Sequence, residues 1–173
     1  MKITVHTFEE MHITANGKMF TVHNVNGGED FTDSNKGNIA EAIIKNLVGL
    51  FEINPSAKGA VDVEDIEVKG NAAQFRSHTK DLPSAKENKA AFIEAVAASV
   101  KSWLEKNGCR VVTLVIIRNN VTMITMSLDE MFKMLTCGAV RVSVDEKARK
   151  IRLADFANDW AFTELMNFCK AHA

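Results

Sequence analysis

Cysteine is scarce in this chain and is spaced for neither of its common structural uses. Cys109, Cys137 and Cys169 are widely separated and include no CxxC pair. This excludes a zinc knuckle and the disulfide framework of a small secreted domain, and the expectation is three small buried hydrophobes in a reducing compartment. The histidines, at positions 6, 12, 23, 78 and 172, include no pair four residues apart in a predicted helix, so a preformed histidine zinc site is not expected either. No long hydrophobic run is present. The longest, Val111 to Ile117, falls far short of the roughly 20 residues that span a bilayer. The opening Met1-Lys2-Ile3-Thr4-Val5-His6 alternates like a strand and lacks the apolar block of a secretion signal, so a cytoplasmic protein without a membrane partner is expected. An excess of one charge sign is missing as well. Lys and Arg number 21 against 22 Asp and Glu, for a net charge of −1. A protein that coats nucleic acid nonspecifically is basic, so any contact here must come from a local patch or be helped by bound cations. There is no glycine-rich phosphate loop, no GxSxG elbow, no Cys/His nucleophile pairing and no internal repeat.

What is present reads as one α/β domain. At 173 residues, 46% apolar and 25% charged, the chain is long enough to bury about two-thirds of its surface in a single core. Period-two patterns predict strands over about 2–7, 11–15 and 18–24, with Asn16-Gly17 placed where a tight hairpin needs positive φ values. A loop over 24–34 leads to a predicted helix at 36–50, where Ile39, Ile43, Leu47 and their neighbours form one apolar stripe with Glu41 at its border. Ser84-Ala85-Lys86-Glu87 has the form of a capping box and opens a predicted helix that ends at Asn107-Gly108. The β-branched run 110–117 predicts a central strand covered on both faces, with a partner at 121–126. Ser127 caps a short helix, a hairpin follows at 140–144 and 151–153, and Asp155 is expected to cap a last helix reaching about residue 171. Trp103, Trp160 and the phenylalanines at helical spacing are expected in the core.

The segment 59–70 resists reading as one strand, because Val61 and Val63 occupy odd positions while Ile66 and Val68 occupy even ones. Folding it at Glu64-Asp65 resolves the conflict, since opposed residues of a hairpin share a face. One face is then apolar and the other carries Asp62, Glu67 and Lys69. Two carboxylates held opposite each other repel unless something positive sits between them. A hard divalent cation is the natural occupant, and magnesium takes only one or two protein carboxylates. Lys69, on the same face, is placed to orient or deprotonate an attacking water and to stabilise charge on a phosphate. Gln74, Arg76, His78 and Lys80 follow directly, a polar stretch suited to nucleic-acid phosphates or to a plain exposed loop. Arg141, Lys147, Arg149, Lys150 and Arg152 make a basic hairpin that either meets phosphates or is simply solvated.

An acid on a first helix, an Asp on one strand and Glu-x-Lys on the next resemble the PD-(D/E)xK nuclease superfamily, which includes restriction endonucleases, Holliday-junction resolvases and phage exonucleases. The resemblance implies a restriction-endonuclease-like αβββαβ core over 36–126, a mixed sheet flanked by helices, with N-terminal β-hairpins and a loop (1–35) and a C-terminal helix-hairpin-helix extension (127–173) as additions. It implies that Asp62 and Glu67 bind Mg2+ or Mn2+, that Lys69 assists the nucleophile, and that Glu41 is the first-helix acid. The substrate it implies is nucleic acid, DNA first, with a second copy of the chain available to cut both strands. Two departures stand out: Asp62 precedes Glu67 by only five residues where ten or more are usual, and Val61 replaces the family's proline. Glu52 is the substitute if Asp62 does not serve. The tripeptide pattern itself occurs three times, at Glu67-Lys69, Glu87-Lys89 and Asp145-Lys147, and only the first lies in an apolar strand. The alternative reading is a non-catalytic nucleic-acid- or protein-binding protein, inhibitory or for assembly, on a similar scaffold.

Overall fold

The structure is a computed structural model that describes residues 3–8, 11–15, 18–22 and 66–173. The predicted loop at 24–34, the helix at 36–50 and the first half of the hairpin at 60–69 lie outside the described residues. So do Glu41, Glu52 and Asp62.

Within them the chain is a mixed α/β structure built on a mixed four-stranded sheet. The sheet comprises β1 (Thr4–Phe8), β4 (Ile66–Lys69), β6 (Val111–Ile117) and β7 (Val121–Ser127), in the order β1-β7-β6-β4. β6 and β7 form an antiparallel hairpin, β1 adds antiparallel to β7, and β4 lies parallel to β6. A parallel neighbour requires a crossover, which is supplied here by helix α1 (Lys89–Lys106). The remaining strands form two smaller sheets. β2 (Met11–Ala15) pairs with β3 (Lys18–Val22), with Ala15 opposite Lys18 as the predicted hairpin requires. β5 (Gln74–Arg76), β9 (Lys150–Leu153) and β8 (Val142–Asp145) form a three-stranded antiparallel sheet in that order.

Burial follows the predicted periodicities. Val112 to Ile117 of β6 are all buried, as a strand covered on both faces must be. Helix α1 turns Phe92, Val96, Val100 and Leu104 into the core, and α2 (Leu128–Thr136) contributes Leu128, Met131, Met134 and Leu135. The last helix, α3 (Asp159–Ala171), adds Ala161, Leu165, Phe168 and Cys169. Among the described residues no helix is long and apolar enough to cross a membrane.

Several expectations are corrected. β1 is no hairpin appendage, because it extends the main sheet through β7. The Ser84 hydroxyl does accept the Glu87 N–H, but the turn it closes precedes the helix, and Asn88 caps α1 by accepting from Ala91 N. Asp155 likewise serves a turn, accepting from Ala157 N, and Asn158 is the N-cap residue of α3. Trp160 is 46% exposed rather than in the core, with the Arg141 guanidinium 4.5 Å above its ring. Cys109 and Cys169 are buried as expected, whereas Cys137 is exposed. Burial pushes the Cys169 thiol up to about 11, far from its reactive form. A thiol-specific reagent added to the native protein is therefore expected to modify Cys137 rapidly and the other two only on unfolding. Equal rates at all three sites would contradict the burial pattern.

Candidate functional site

Strand β4 sets the site by its alternation. Val68 turns inward and is 7% exposed, so Glu67 and Lys69, one position to each side, share the opposite face. Their side chains meet: Lys69 Nζ is 3.9 Å from Glu67 Oε1, with about a quarter of the Lys69 side chain accessible and less of Glu67. Parallel pairing of Lys69 with Leu114 and of Glu67 with Val112 ties this face to the rigid central strand.

After Lys69 the chain is pinned by Asn71, which is 2% exposed. Its side-chain amide donates to the Ile117 carbonyl and accepts from the Ile117 N–H, both at 2.8 Å. One side chain thus does the work of a strand residue where β4 has ended. The Asn71 carbonyl accepts from Phe156 N, and the Ala73 carbonyl from Leu153 N. The chain then enters β5, where Gln74 and Arg76 face outward and Phe75 is buried.

Glu67 and Lys69 on β4, Gln74 and Arg76 on β5, and His78 just beyond line one cleft of about 420 Å³. Five of the six sequence-predicted site residues within the described part of the chain thus line this cleft; Lys80 is exposed and lies outside the lining. Phe75 floors the cleft, with Lys69 Nζ 5.1 Å from its ring centroid, a cation–π distance that steadies the lysine stem.

Of the lining residues outside the predicted set, two add a charge or a ring contact to the site. Lys150 of β9 reaches the cleft and donates to Gln74 Oε1 at 2.9 Å. It stands opposite Arg76 in the β5–β9 register. Trp103 of α1, expected in the core, is half-buried and stacks on His78 with centroids 4.4 Å apart and planes 7° from parallel. The signal for Lys150 was the basic hairpin, and its address came only with the β5–β9 pairing. Trp103 gave no signal, because an aromatic at helical spacing is most often core.

The rest of the basic hairpin is divided. Arg152 pairs with Asp145 at 3.1 Å and Arg141 lies 3.8 Å from Glu164, and neither is among the cleft's lining residues. Asp145 also accepts from Ala148 N, and that bond, followed by the Arg152 charge, holds its carboxyl below the usual range. This fixes the tip that carries Lys150. Arg149, at φ 54, closes the tip in the left-handed region, and its carbonyl accepts from Ser77 N at 2.8 Å.

The cleft is electropositive, with Lys69, Arg76 and Lys150 against Glu67 as the one carboxylate among the described lining residues. Partial burial, then the Arg76 and Lys69 charges, push the His78 imidazole below its ordinary value, which favours its uncharged form. Among the described residues no group of three His, Cys, Asp or Glu side chains is placed to hold a metal ion. Glu67 supplies one hard oxygen donor group, and Asp62, its expected partner, lies outside the described residues. Compared with models of protein families, with curated proteins and with solved structures, the chain matches none.

Proposed function

We propose that the chain is a divalent-metal-dependent phosphodiesterase acting on nucleic acid, DNA first, of the PD-(D/E)xK type. The observation that carries this reading is the juxtaposition of Glu67 and Lys69 on one strand face, inside a cleft whose other charged walls are Arg76 and Lys150. The order β4, α1, β6, with β4 parallel to β6, is compatible with the second half of a restriction-endonuclease-like core.

In this reading Glu67, with Asp62, would hold Mg2+ or Mn2+, an ion that needs only one or two protein carboxylates. Bound there, it supplies charge neutralisation at the phosphate and a more acidic attacking water. The chain's own residues do the rest. Lys69 donates from Nζ to a phosphate oxygen and stabilises the charge that builds there. Arg76 and Lys150 seat the flanking phosphates, and Gln74 keeps Lys150 in place through its 2.9 Å contact. Cutting both strands of a duplex would take two copies.

Saturating Mg2+ or Mn2+ is expected to raise the melting temperature, since a ligand at a hundredfold excess over its Kd stabilises by about 2.7 kcal/mol. The same ions should support nicking of plasmid or cleavage of single strands, with chelation abolishing both effects. Glu67→Gln should lose the thermal shift along with the cleavage. A second reading, a non-catalytic binder, is favoured by the three cations facing one carboxylate. It predicts phosphate-dependent binding that chelation leaves intact and no cleavage under any metal.

A further inference from the structure

The stacked pair at the mouth of the cleft is built more firmly than a surface histidine requires. Trp103 is anchored on α1, and the His78 backbone N–H donates to Ser99 Oγ at 2.9 Å, one turn earlier on the same helix. On the other side Ser77 is buried, its N–H held by the Arg149 carbonyl and its hydroxyl bonded to the Thr79 backbone. Contacts to two separate elements therefore fix the backbone that carries the imidazole, and the ring lies parallel to the indole. One ring face is covered by Trp103, yet His78 remains exposed and lines the cleft, so its second face is open.

A flat aromatic surface beside three cations suits a ligand that carries both a π-face and phosphates. Single-stranded nucleic acid is such a ligand, because its bases are free to stack on protein rings while its backbone follows a basic groove. A duplex keeps its bases stacked on each other and offers a protein mainly phosphates and groove edges. We propose that the His78–Trp103 pair is a base-stacking platform and that the cleft takes unpaired nucleic acid, one base lying on the open face of His78 while adjoining phosphates meet Lys69, Arg76 and Lys150. The inference rests on reading the cleft as a nucleic-acid site and adds what form of nucleic acid enters it. The shift of His78 toward its uncharged form suits the role, since the surrounding cations already supply the charge.

The test is fluorescence anisotropy of the full chain with a short labelled oligodeoxythymidine strand, free or annealed to its complement, with Ca2+ in place of Mg2+. The single strand is expected to bind more tightly than the duplex. His78→Ala should weaken single-strand binding about tenfold, the worth of one stacked base, and leave duplex binding unchanged. His78→Phe should restore it, because a phenyl ring stacks but neither hydrogen-bonds nor titrates. His78 is exposed, so both variants are expected to melt like the parent. Tighter duplex binding, no binding of either form, an indifferent His78→Ala, or a His78→Phe as weak as alanine would each overturn the platform. The hydrolase reading fails separately: a His78-dependent single-strand preference without cleavage in Mg2+ or Mn2+ keeps the platform and discards the enzyme. Cleavage of single strands that ignores His78 does the reverse.

Discussion

Lys69→Ala is expected to lower metal-dependent cleavage by about 10²–10⁴-fold, the range in which a positioned proton-transfer or charge-stabilising group acts. The residue is held by two side-chain contacts and by its strand pairing. Its Nζ lies 3.9 Å from Glu67 Oε1 and 5.1 Å from the centre of the Phe75 ring, and its backbone is paired with Leu114. A group so restrained loses little entropy in meeting a phosphate, which is why removing it should cost rate more than affinity. The fall should therefore appear in kcat, with KM changing far less, and the melting temperature should hold because a partly exposed ion pair contributes under about 1 kcal/mol. Lys69→Arg is informative beside it. The guanidinium keeps the charge but spreads it over a planar fork that does not fit a site shaped for a compact ammonium. Binding should survive in that variant while turnover stays low. Full activity in Lys69→Ala would remove the chain from the hydrolases considered above.

Asn71→Ala carries the largest expected effect on stability. The amide closes two 2.8 Å hydrogen bonds with the same residue, Ile117, in a place that water does not reach. Alanine would leave a buried N–H and a buried carbonyl unpaired, at about 1–3 kcal/mol each, or roughly 2–6 kcal/mol together. For a chain of this size that corresponds to a fall in Tm of about 4–24 °C. Asn71→Asp should be no rescue, since a carboxylate accepts from the Ile117 N–H but has no proton to give the Ile117 carbonyl. A loss under about 1 kcal/mol in either variant, measured by thermal or denaturant melting, would show that the Ile117 backbone finds other partners.

Much of the secondary structure was legible because its periods are local. β6 announced itself by unbroken β-branched residues, α1 by Phe92, Val96 and Val100 on one stripe, and α2 by Ser127, whose hydroxyl does accept the Glu130 N–H. Glu67 and Lys69 were readable as a pair for the same reason, through their alternation with Ile66 and Val68. What failed to show were the non-local partners. β5 is three residues long and two of them are polar, so Gln74-Phe75-Arg76 resembled a loop, although Ala73, Phe75 and Ser77 are all buried and carry the period of a strand. Pairing of β1 with β7 spans more than a hundred residues of sequence and left no local trace. Trp103 was assigned to packing because its stripe is apolar, and only the stacked His78 sets it apart. Glu41 and Asp62 lie outside the described residues.

The union of β5 with β9 bears on when the cleft comes into being as the protein is made. The Glu67–Lys69 face and Arg76 leave the ribosome early, yet the strand that aligns Arg76 and supplies Lys150 is synthesised some seventy residues later, and an emerging chain extends by about 5–20 residues each second. For several seconds the nascent polypeptide carries the Glu67–Lys69 pair without the far wall of its cleft. Completion of the cleft is thus deferred by topology alone until β9 has been made.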